Sequence, residues 1–311
     1  MQVSIVLPCY NAERHLERCL TSLFVQTHRP LELIAVDDGS SDGTVAMLES
    51  ATRRAPFPMQ VLRQANAGAC AARNAGMRAA RGTYIQFMDA DDEILPDKIE
   101  QHLAIAHAHG DCDLVVGSAR IVKPNGELDK MDIVEPGSRD PWLDLAMHRM
   151  GGTPNNFWKR DAVLRAGAWD EGLRSSQEYD LMLRMLITGA RICHDPVPRT
   201  VVHLQAGGSV STSDPAAKWQ RYIDLRLRII AHLRATRNLD ELAPFHQVLF
   251  DCIRMLHPFA PKEAVALYHA HLPKGFTPAI SSATGPLYLK LHKLLGFAAA
   301  NRVRSWLSAL R

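Results

Sequence analysis

The chain has 311 residues, 47% of them hydrophobic and 22% charged. That is an ordinary globular composition, with room for a core domain and a smaller one. The net charge is +3; no nucleic-acid partner is expected, and no stretch approaches the roughly 18 apolar residues of a membrane-spanning helix.

The chain opens "MQVSIVLPCYN", without the basic and long apolar regions of a signal peptide. Residues 3–8 predict a buried strand, and 13–26 an amphipathic helix. A second strand is expected at 31–38, then a turn, "DGSSDGT", leading into a helix near 44–53. A third strand at 59–64 precedes a small-residue helix at 67–82, closed by Gly82. A fourth strand at 83–88 runs into Asp89, Ala90, Asp91 and Asp92, followed by a helix at 97–110. A fifth strand spans 113–122. Residues 123–160 read as a hairpin and loop. Helices are expected at 159–173 and 175–192, a late strand at 197–205, and a flexible loop at 206–215. Beyond Pro215 the pattern turns helical and basic, notably at 219–235 and 287–311. The domain boundary is placed near 214.

Strands alternating with helices predict an α/β fold with a doubly wound, mostly parallel sheet, followed by a C-terminal helical region. On such sheets ligands bind beyond the carboxyl ends of the strands. That rule gathers Pro8–Asn11, Asp37–Gly39, Gln64–Gly68 and Asp89–Asp92 at one rim.

Six cysteines, Cys9, Cys19, Cys70, Cys112, Cys193 and Cys252, form no CxxC pair. They read as reduced, mostly buried thiols of a cytoplasmic protein. Charge is unevenly spread. Residues 215–311 carry 14 Lys and Arg against 5 Asp and Glu, whereas 1–214 carry 22 against 28. The acidic part suits a cation, and the basic part an anionic partner such as a membrane surface.

Two carboxylates one residue apart, Asp89 and Asp91, suit Mg²⁺ or Mn²⁺, hard ions that keep positions open for phosphate oxygens. The plainer reading is a solvated acidic turn capping the next helix. Asp37 and Asp38 read either as an Asx turn or as a carboxylate accepting from a nucleobase or ribose. Tyr10 offers either a stacking face or a core side chain. Arg73 reaches either a phosphate or a rim aspartate. The basic segment with Lys290, Lys293, Arg302, Arg304 and Arg311 reads as a membrane-surface helix, a helical pair packed on the catalytic domain, or a dimer contact.

"VSIVLPCYNAERHLERCLTSLFVQT", "LELIAVDDGSSDGT", "NAGACAARNAGMRAARGTYIQFMDADD" and "GAWDEGL…QEYDLMLRM", in this order, resemble the successive signatures of glycosyltransferase family 2 over roughly residues 2–212. The resemblance implies an inverting, nucleotide-sugar-dependent enzyme with the A-type, Rossmann-like glycosyltransferase fold. It implies that Pro8, Tyr10 and Asn11 line a nucleotide pocket, with Glu13 a site-lining acid. Asp38 then reads the base and Arg73 lies near the nucleotide. Asp91 is implied as the direct metal ligand, with Asp89 nearer the ribose and metal. Glu178 matches the general base. The usual Glu-Asp pair is here Gln177-Glu178, with Asp180 as a second carboxylate. Ala206 stands where many relatives carry His, and His203 is nearby but out of register.

The expected partners are a nucleoside-diphosphate sugar, UDP-linked by default with GDP and dTDP open, and a glycan or lipid-linked acceptor of bacterial surface polysaccharide synthesis. The expected location is the cytoplasm, with peripheral contact at the inner face of its membrane. Two other readings are a metal-dependent nucleotidylyltransferase and a non-catalytic, membrane-associated scaffold. "PCYNAE" after the first strand lacks the Gly-rich basic loop expected of the former, and the intact aspartate pair with Glu178 argues against the latter.

Overall fold

The computed structural model describes residues 1–135, 140–205 and 214–309, with side chains through 303. The chain forms two compact units, Met1–Gly208 and Ser209–Arg311.

The first unit is built on one sheet. Its strands are β1 (Val3–Cys9), β2 (Leu31–Asp37), β3 (Met59–Arg63), β4 (Tyr84–Phe87), β5 (Glu93–Ile94), β6 (Leu114–Val122), β7 (Leu128–Asp132), β8 (Phe157–Lys159) and β9 (Ile192–His203). They lie in the order β3-β2-β1-β4-β8-β6-β9-β5, with β7 paired to β6. The β3-β2-β1-β4 half is wholly parallel, and so is β6 with β9. Short β8 runs antiparallel to both β4 and β6 and joins the two parallel blocks, so the sheet is mixed. The sequence signal for β8 is three residues long, too short for a period-2 pattern to register.

Period-2 alternation places helices on both faces. Val3, Ile5, Leu7 and Cys9 of β1 join a buried cluster with Leu16, Cys19, Leu20 and Leu23 of α1 (Leu16–Phe24). The same cluster takes Leu48 and Ala51 of α2 (Thr44–Thr52) and Ile99, Leu103 and Ala106 of α4 (Lys98–Ala108). The opposite face receives α3 (Ala69–Ala79), whose Gly76 lies so close that a Cβ there would sit 2.4 Å from Val6 Cγ1. A doubly wound sheet follows from these two sets of contacts.

Beyond β6 the structure departs from the expected pattern. The hairpin is present as β6–β7, but the segment to 160 also holds α5 (Pro141–Ala146) and β8. The helix expected at 159–173 is only α6 (Arg160–Arg165). Gly167 (φ 85°) and Ala168 (φ 59°) turn the chain through left-handed backbone and stop it. α7 (Gln177–Ile187) starts after Ser176, also left-handed. α3 ends before Gly82, whose place is instead a close approach to the Ser4 amide. The expected loop at 206–215 lies largely outside the described residues.

Aromatic packing closes the α3 face. Phe87 meets Trp169 edge-on at 5.2 Å, and Trp158 lies 5.8 Å from Trp169. Burial of each such side chain stabilises by about 1.5–3 kcal/mol. All six cysteines are buried.

The second unit is helical: α8 (Pro215–Leu233), α9 (Leu239–Leu256), α10 (Pro261–His271) and α11 (Pro286–Ala309). Phe250, Tyr268 and Phe297 form its aromatic centre, with the last two stacked at 4.4 Å. Gly296 (φ 73°) breaks α11 into two helical pieces.

Candidate active site

Four strand ends converge as the sheet rule requires. A cleft of about 540 Å³ is lined by residues at the ends of β1, β2, β3 and β4, Pro8–Ala12, Asp38, Asn66, Gly68, Ala69 and Asp89–Asp91 among them. Of the expected site residues, Pro8, Tyr10, Asn11, Asp38, Asp89 and Asp91 line it. Glu13, Arg73 and Glu178 do not. His15 and Gln205 line it without having been singled out by the sequence, and Asn66 comes from the 64–68 segment that the sheet rule placed at this rim.

Tyr10 is 56% exposed, so its ring belongs to the cleft and not to the core. Asn11 adopts left-handed backbone (φ 48°), tolerable for Asn. Its Oδ1 accepts from the Ser41 amide at 2.9 Å and its amide donates to Ser40 Oγ at 3.0 Å. These bonds tie the end of β1 to the turn after β2. Glu13 serves the same turn: its Oε2 accepts from the Gly43 amide at 3.0 Å.

At Asp37, Oδ1 accepts from the Ser40 amide, three residues on, at 3.3 Å, so this carboxylate is used within the local turn. Asp38 is buried and accepts three hydrogen bonds. Gln64 Nε2 donates to Oδ1 at 2.7 Å, the Ala67 amide to Oδ1 at 2.9 Å and the Gly68 amide to Oδ2 at 2.8 Å. Among the described residues these are its partners, which leaves one lone pair on Oδ2 for a ligand. The approach is permitted by Gly39 (φ 78°), where a Cβ would lie 2.9 Å from the Asn66 nitrogen.

The acidic turn is held from several sides. Arg73, only 5% exposed, donates to Asp89 Oδ1 at 2.7 Å and to Gln177 Oε1 at 2.8 Å. Its guanidinium lies 4.8 Å from the Trp169 ring centre. Of the two partners foreseen for Arg73, the structure therefore supplies the rim aspartate. Trp169 is fixed to α3 in turn, through its amide to Asn74 Oδ1 and its carbonyl from Asn74 Nδ2. Asp91 Oδ2 accepts from Gln205 Nε2 at 2.9 Å, and the Asp91 carbonyl accepts from Arg18 at 2.6 Å.

Burial raises the Asp92 carboxyl well above the usual carboxylate range, and the charges of Asp89 and Asp91 add to this. Arg73 offsets part of the charge on Asp89, and a divalent cation would relieve what remains of the repulsion among these carboxylates. Among the described residues, Asp89 is paired through Oδ1 and Asp91 through Oδ2, which leaves one oxygen on each for a further ligand. No cluster of three or more His, Cys, Asp or Glu suited to a metal occurs among the described residues. Hard oxygen donors in that number fit Mg²⁺ or Mn²⁺, which complete their shells from phosphate and water. His203 is not such a ligand: it pairs with Glu93 at 2.7 Å. Ala206 lies outside the described residues.

Glu178 sits in the first turn of α7, next to Gln177. The residue is half-buried, and desolvation of its carboxyl raises its pKa. Its own amide and Arg73 oppose the rise, while Asp89 adds to it. Asp180 instead pairs with Arg184 at 2.8 Å, a structural i,i+4 contact. Gln177 links Arg73 to the α7 start, since its Nε2 also donates to the Leu173 carbonyl at 2.8 Å. Cys9 also lines the cleft, but burial and Asp37 push its thiol far up, so it stays protonated and is no nucleophile.

Residues 4–166 match the family model described as "Glycosyl transferase family 2". An uncharacterized glycosyltransferase of Haemophilus influenzae is 29% identical over 245 residues, covering 76% of this chain and 80% of that protein. The match to two other curated relatives covers less, 30% and 57% of their own lengths. The fold resembles S. aureus TarS 1-349 in complex with UDP-GlcNAc (TM-score 0.64, 18% identity, 99% of this chain and 92% of that one). It also resembles the mannosyltransferase PcManGT from Pyrobaculum calidifontis in complex with GDP-Man and Mn²⁺ (TM-score 0.59, 18% identity, 99% and 84%).

Proposed function

The chain belongs to glycosyl transferase family 2 and is a glycosyltransferase, and on that footing we propose that it moves a sugar, with inversion, from a nucleoside-diphosphate sugar to an acceptor hydroxyl. The observation that carries this reading is the convergence of Asp38, Asp89 and Asp91 on one cleft, with Arg73 joining Asp89 to Gln177 beside Glu178.

Asp38, through its remaining lone pair, and Tyr10, through its exposed ring, receive the nucleoside, with Pro8 and Asn11 shaping the wall and Glu13 bracing it. Asp91 and Asp89 would hold Mn²⁺ or Mg²⁺. When bound, that cation offsets the negative charge developing on the leaving diphosphate. Arg73 keeps Asp89 oriented for this task. Glu178 takes the proton of the acceptor hydroxyl as its oxygen attacks the anomeric carbon from the face opposite the leaving diphosphate. The glycosidic oxygen–carbon bond forms as the bond to the diphosphate breaks. A carboxyl raised by burial is a stronger base than an ordinary glutamate, and positioned bases of this kind contribute roughly 10²–10⁴-fold.

UDP-sugars are the first donors to test, with GDP- and dTDP-sugars next. The neighbours in complex with UDP-GlcNAc and with GDP-Man and Mn²⁺ support including UDP- and GDP-sugars. We assign the transfer chemistry to residues 1–214. The acceptor is a glycan or lipid-linked glycan of surface polysaccharide synthesis, met from the cytoplasm. Residues 215–311 make peripheral contact with an anionic membrane. Along α11, Leu287, Lys290, Lys293 and Leu294 are exposed together, Leu294 by 79%. No helix among the described residues is long and apolar enough to cross a membrane.

The test is calorimetric. UDP, GDP, dTDP and CMP are titrated with and without Mn²⁺ into the wild type and Asp91→Ala. One nucleoside diphosphate should bind in a metal-dependent way that Asp91→Ala abolishes. Failure of all four to bind folded protein in the presence of metal would sink the reading.

A further inference from the structure

The C-terminal unit has a cavity of its own, of about 940 Å³, at the α8–α9 turn and the end of α10. Its lining brings together Arg234, Arg237, His246 and His271, against one carboxylate among the described residues, Asp240. His246 is 3% exposed, and its Nε2 is buried without a hydrogen-bond partner among the described residues. A buried imidazole nitrogen costs free energy unless something bonds to it. His246 also feels Arg234, which together with burial holds its pKa below the ordinary histidine value.

The backbone adds donors. α9 begins beside the cavity with Asn238 as N-cap and a full capping box with Glu241. The Glu241 carboxylate is spent on the Asn238 amide at 2.8 Å, and the Glu241 amide on Asn238 Oδ1 at 3.0 Å. That leaves the amides of Leu239 and Asp240, the first two of an 18-residue helix, without an intrahelical carbonyl. They carry the positive end of the helix dipole. A cation is disfavoured here by two guanidinium groups, and no metal-binding cluster occurs among the described residues.

We propose that this cavity binds a phosphate group, with Arg234 and Arg237 supplying the charge, the α9 amides supplying neutral donors and His246 Nε2 supplying a buried donor. The phosphate belongs either to a soluble phosphorylated compound or to a lipid headgroup. The site is independent of the cleft in the first unit and does not rest on the reading of that cleft.

The experiment uses the full chain in EDTA, so that metal-dependent binding at the cleft is silent. Inorganic phosphate and glycerol 3-phosphate are titrated into the wild type, Arg234→Glu/Arg237→Glu and His246→Asn. Loss of charge-assisted bonds should weaken phosphate binding about tenfold or more. Glu178→Gln should bind as the wild type does. In the unaltered protein, the His246 ring resonances should move as phosphate is added, which guards against a variant that merely misfolds. Vesicles of phosphatidylcholine with and without phosphatidic acid separate the two sources. Phosphatidic-acid-dependent co-sedimentation that is lost in Arg234→Glu/Arg237→Glu and competed by phosphate assigns a lipid headgroup. Phosphate binding with vesicle binding unchanged by those substitutions assigns a soluble compound. No phosphate binding, or equal binding in all variants with unmoved His246 resonances, overturns the proposal.

Discussion

Arg73 Nη2 donates to Asp89 Oδ1 at 2.7 Å, from a position almost sealed from solvent. The same guanidinium reaches Gln177 and covers Trp169. One buried cation thus connects the acidic turn after β4 to the start of α7.

Arg73→Ala should lower the transfer rate by about 10–100-fold, the usual cost of losing a group that orients a ligand. Arg73→Lys should recover little, because an ammonium cannot fork to both Asp89 and Gln177. The check is kcat with the preferred donor, beside circular dichroism for folding. Near wild-type kcat in Arg73→Ala would show that Asp89 needs no such support.

Glu178→Gln should keep nucleotide binding and lose roughly 10²–10⁴ in kcat. A base acts only when deprotonated, so wild-type activity should fall as pH drops through the raised Glu178 pKa, above the ordinary glutamate range. Gln177→Glu places a like charge beside it and should move that acid limb to higher pH. A pH–rate profile that is unchanged in Gln177→Glu, or an active Glu178→Gln, would remove Glu178 from the role.

Acid stability has two windows. Burial drives the His102 pKa down to about 3, helped by Lys98, although Asp195 opposes it. Its folded pKa lies below the unfolded value. Stability is therefore whole above the unfolded histidine pKa of about 6.5 and declines from there towards 3 as the unfolded chain takes up the proton. The slope is at most about 1.4 kcal/mol per pH unit for this one group. Asp195 is raised by burial, but His102, the Val197 amide and Arg199 outweigh it and leave it at about 2. That contribution is present above the ordinary aspartate range and is lost as pH falls through 2. Urea unfolding at pH 7, 5.5 and 4 should show the first decline, and His102→Gln should flatten it.

Gly76→Ala should destabilise by about 1–3 kcal/mol, because its Cβ would overlap Val6 Cγ1 in a packed interface. Combined with Val6→Ala it should cost less than the sum of the two single changes. Chemical denaturation of the four proteins decides this. A Gly76→Ala variant as stable as the wild type would mean that α3 can shift away from the sheet without cost.

Much of this protein was legible in its sequence. Strands β1 to β4 and helices α1 to α4 fall within a few residues of their expected places, because each is a short apolar run or a helical pattern set off by turn formers. The family signatures were legible for the same reason: the strand-end segments are contiguous, and their residue types survive as short words. From those strands alone, the carboxyl-end rule placed Pro8, Tyr10, Asn11, Asp38, Asp89 and Asp91 at one rim, and the cleft gathers all six.

What the tertiary structure alone decided are pairings between distant segments. Gln205 meets Asp91 across 114 positions, and Arg73 meets Gln177 across 104. No local period encodes such a meeting; sheet order and the antiparallel insertion of β8 do. The same holds for Asp38, whose carboxylate is largely spent on the 64–68 loop, and for His246, whose isolation in a basic cavity has no sequence mark. Local periodicity reports which face of an element is buried, whereas the partners waiting on that face are set only once the whole chain has packed.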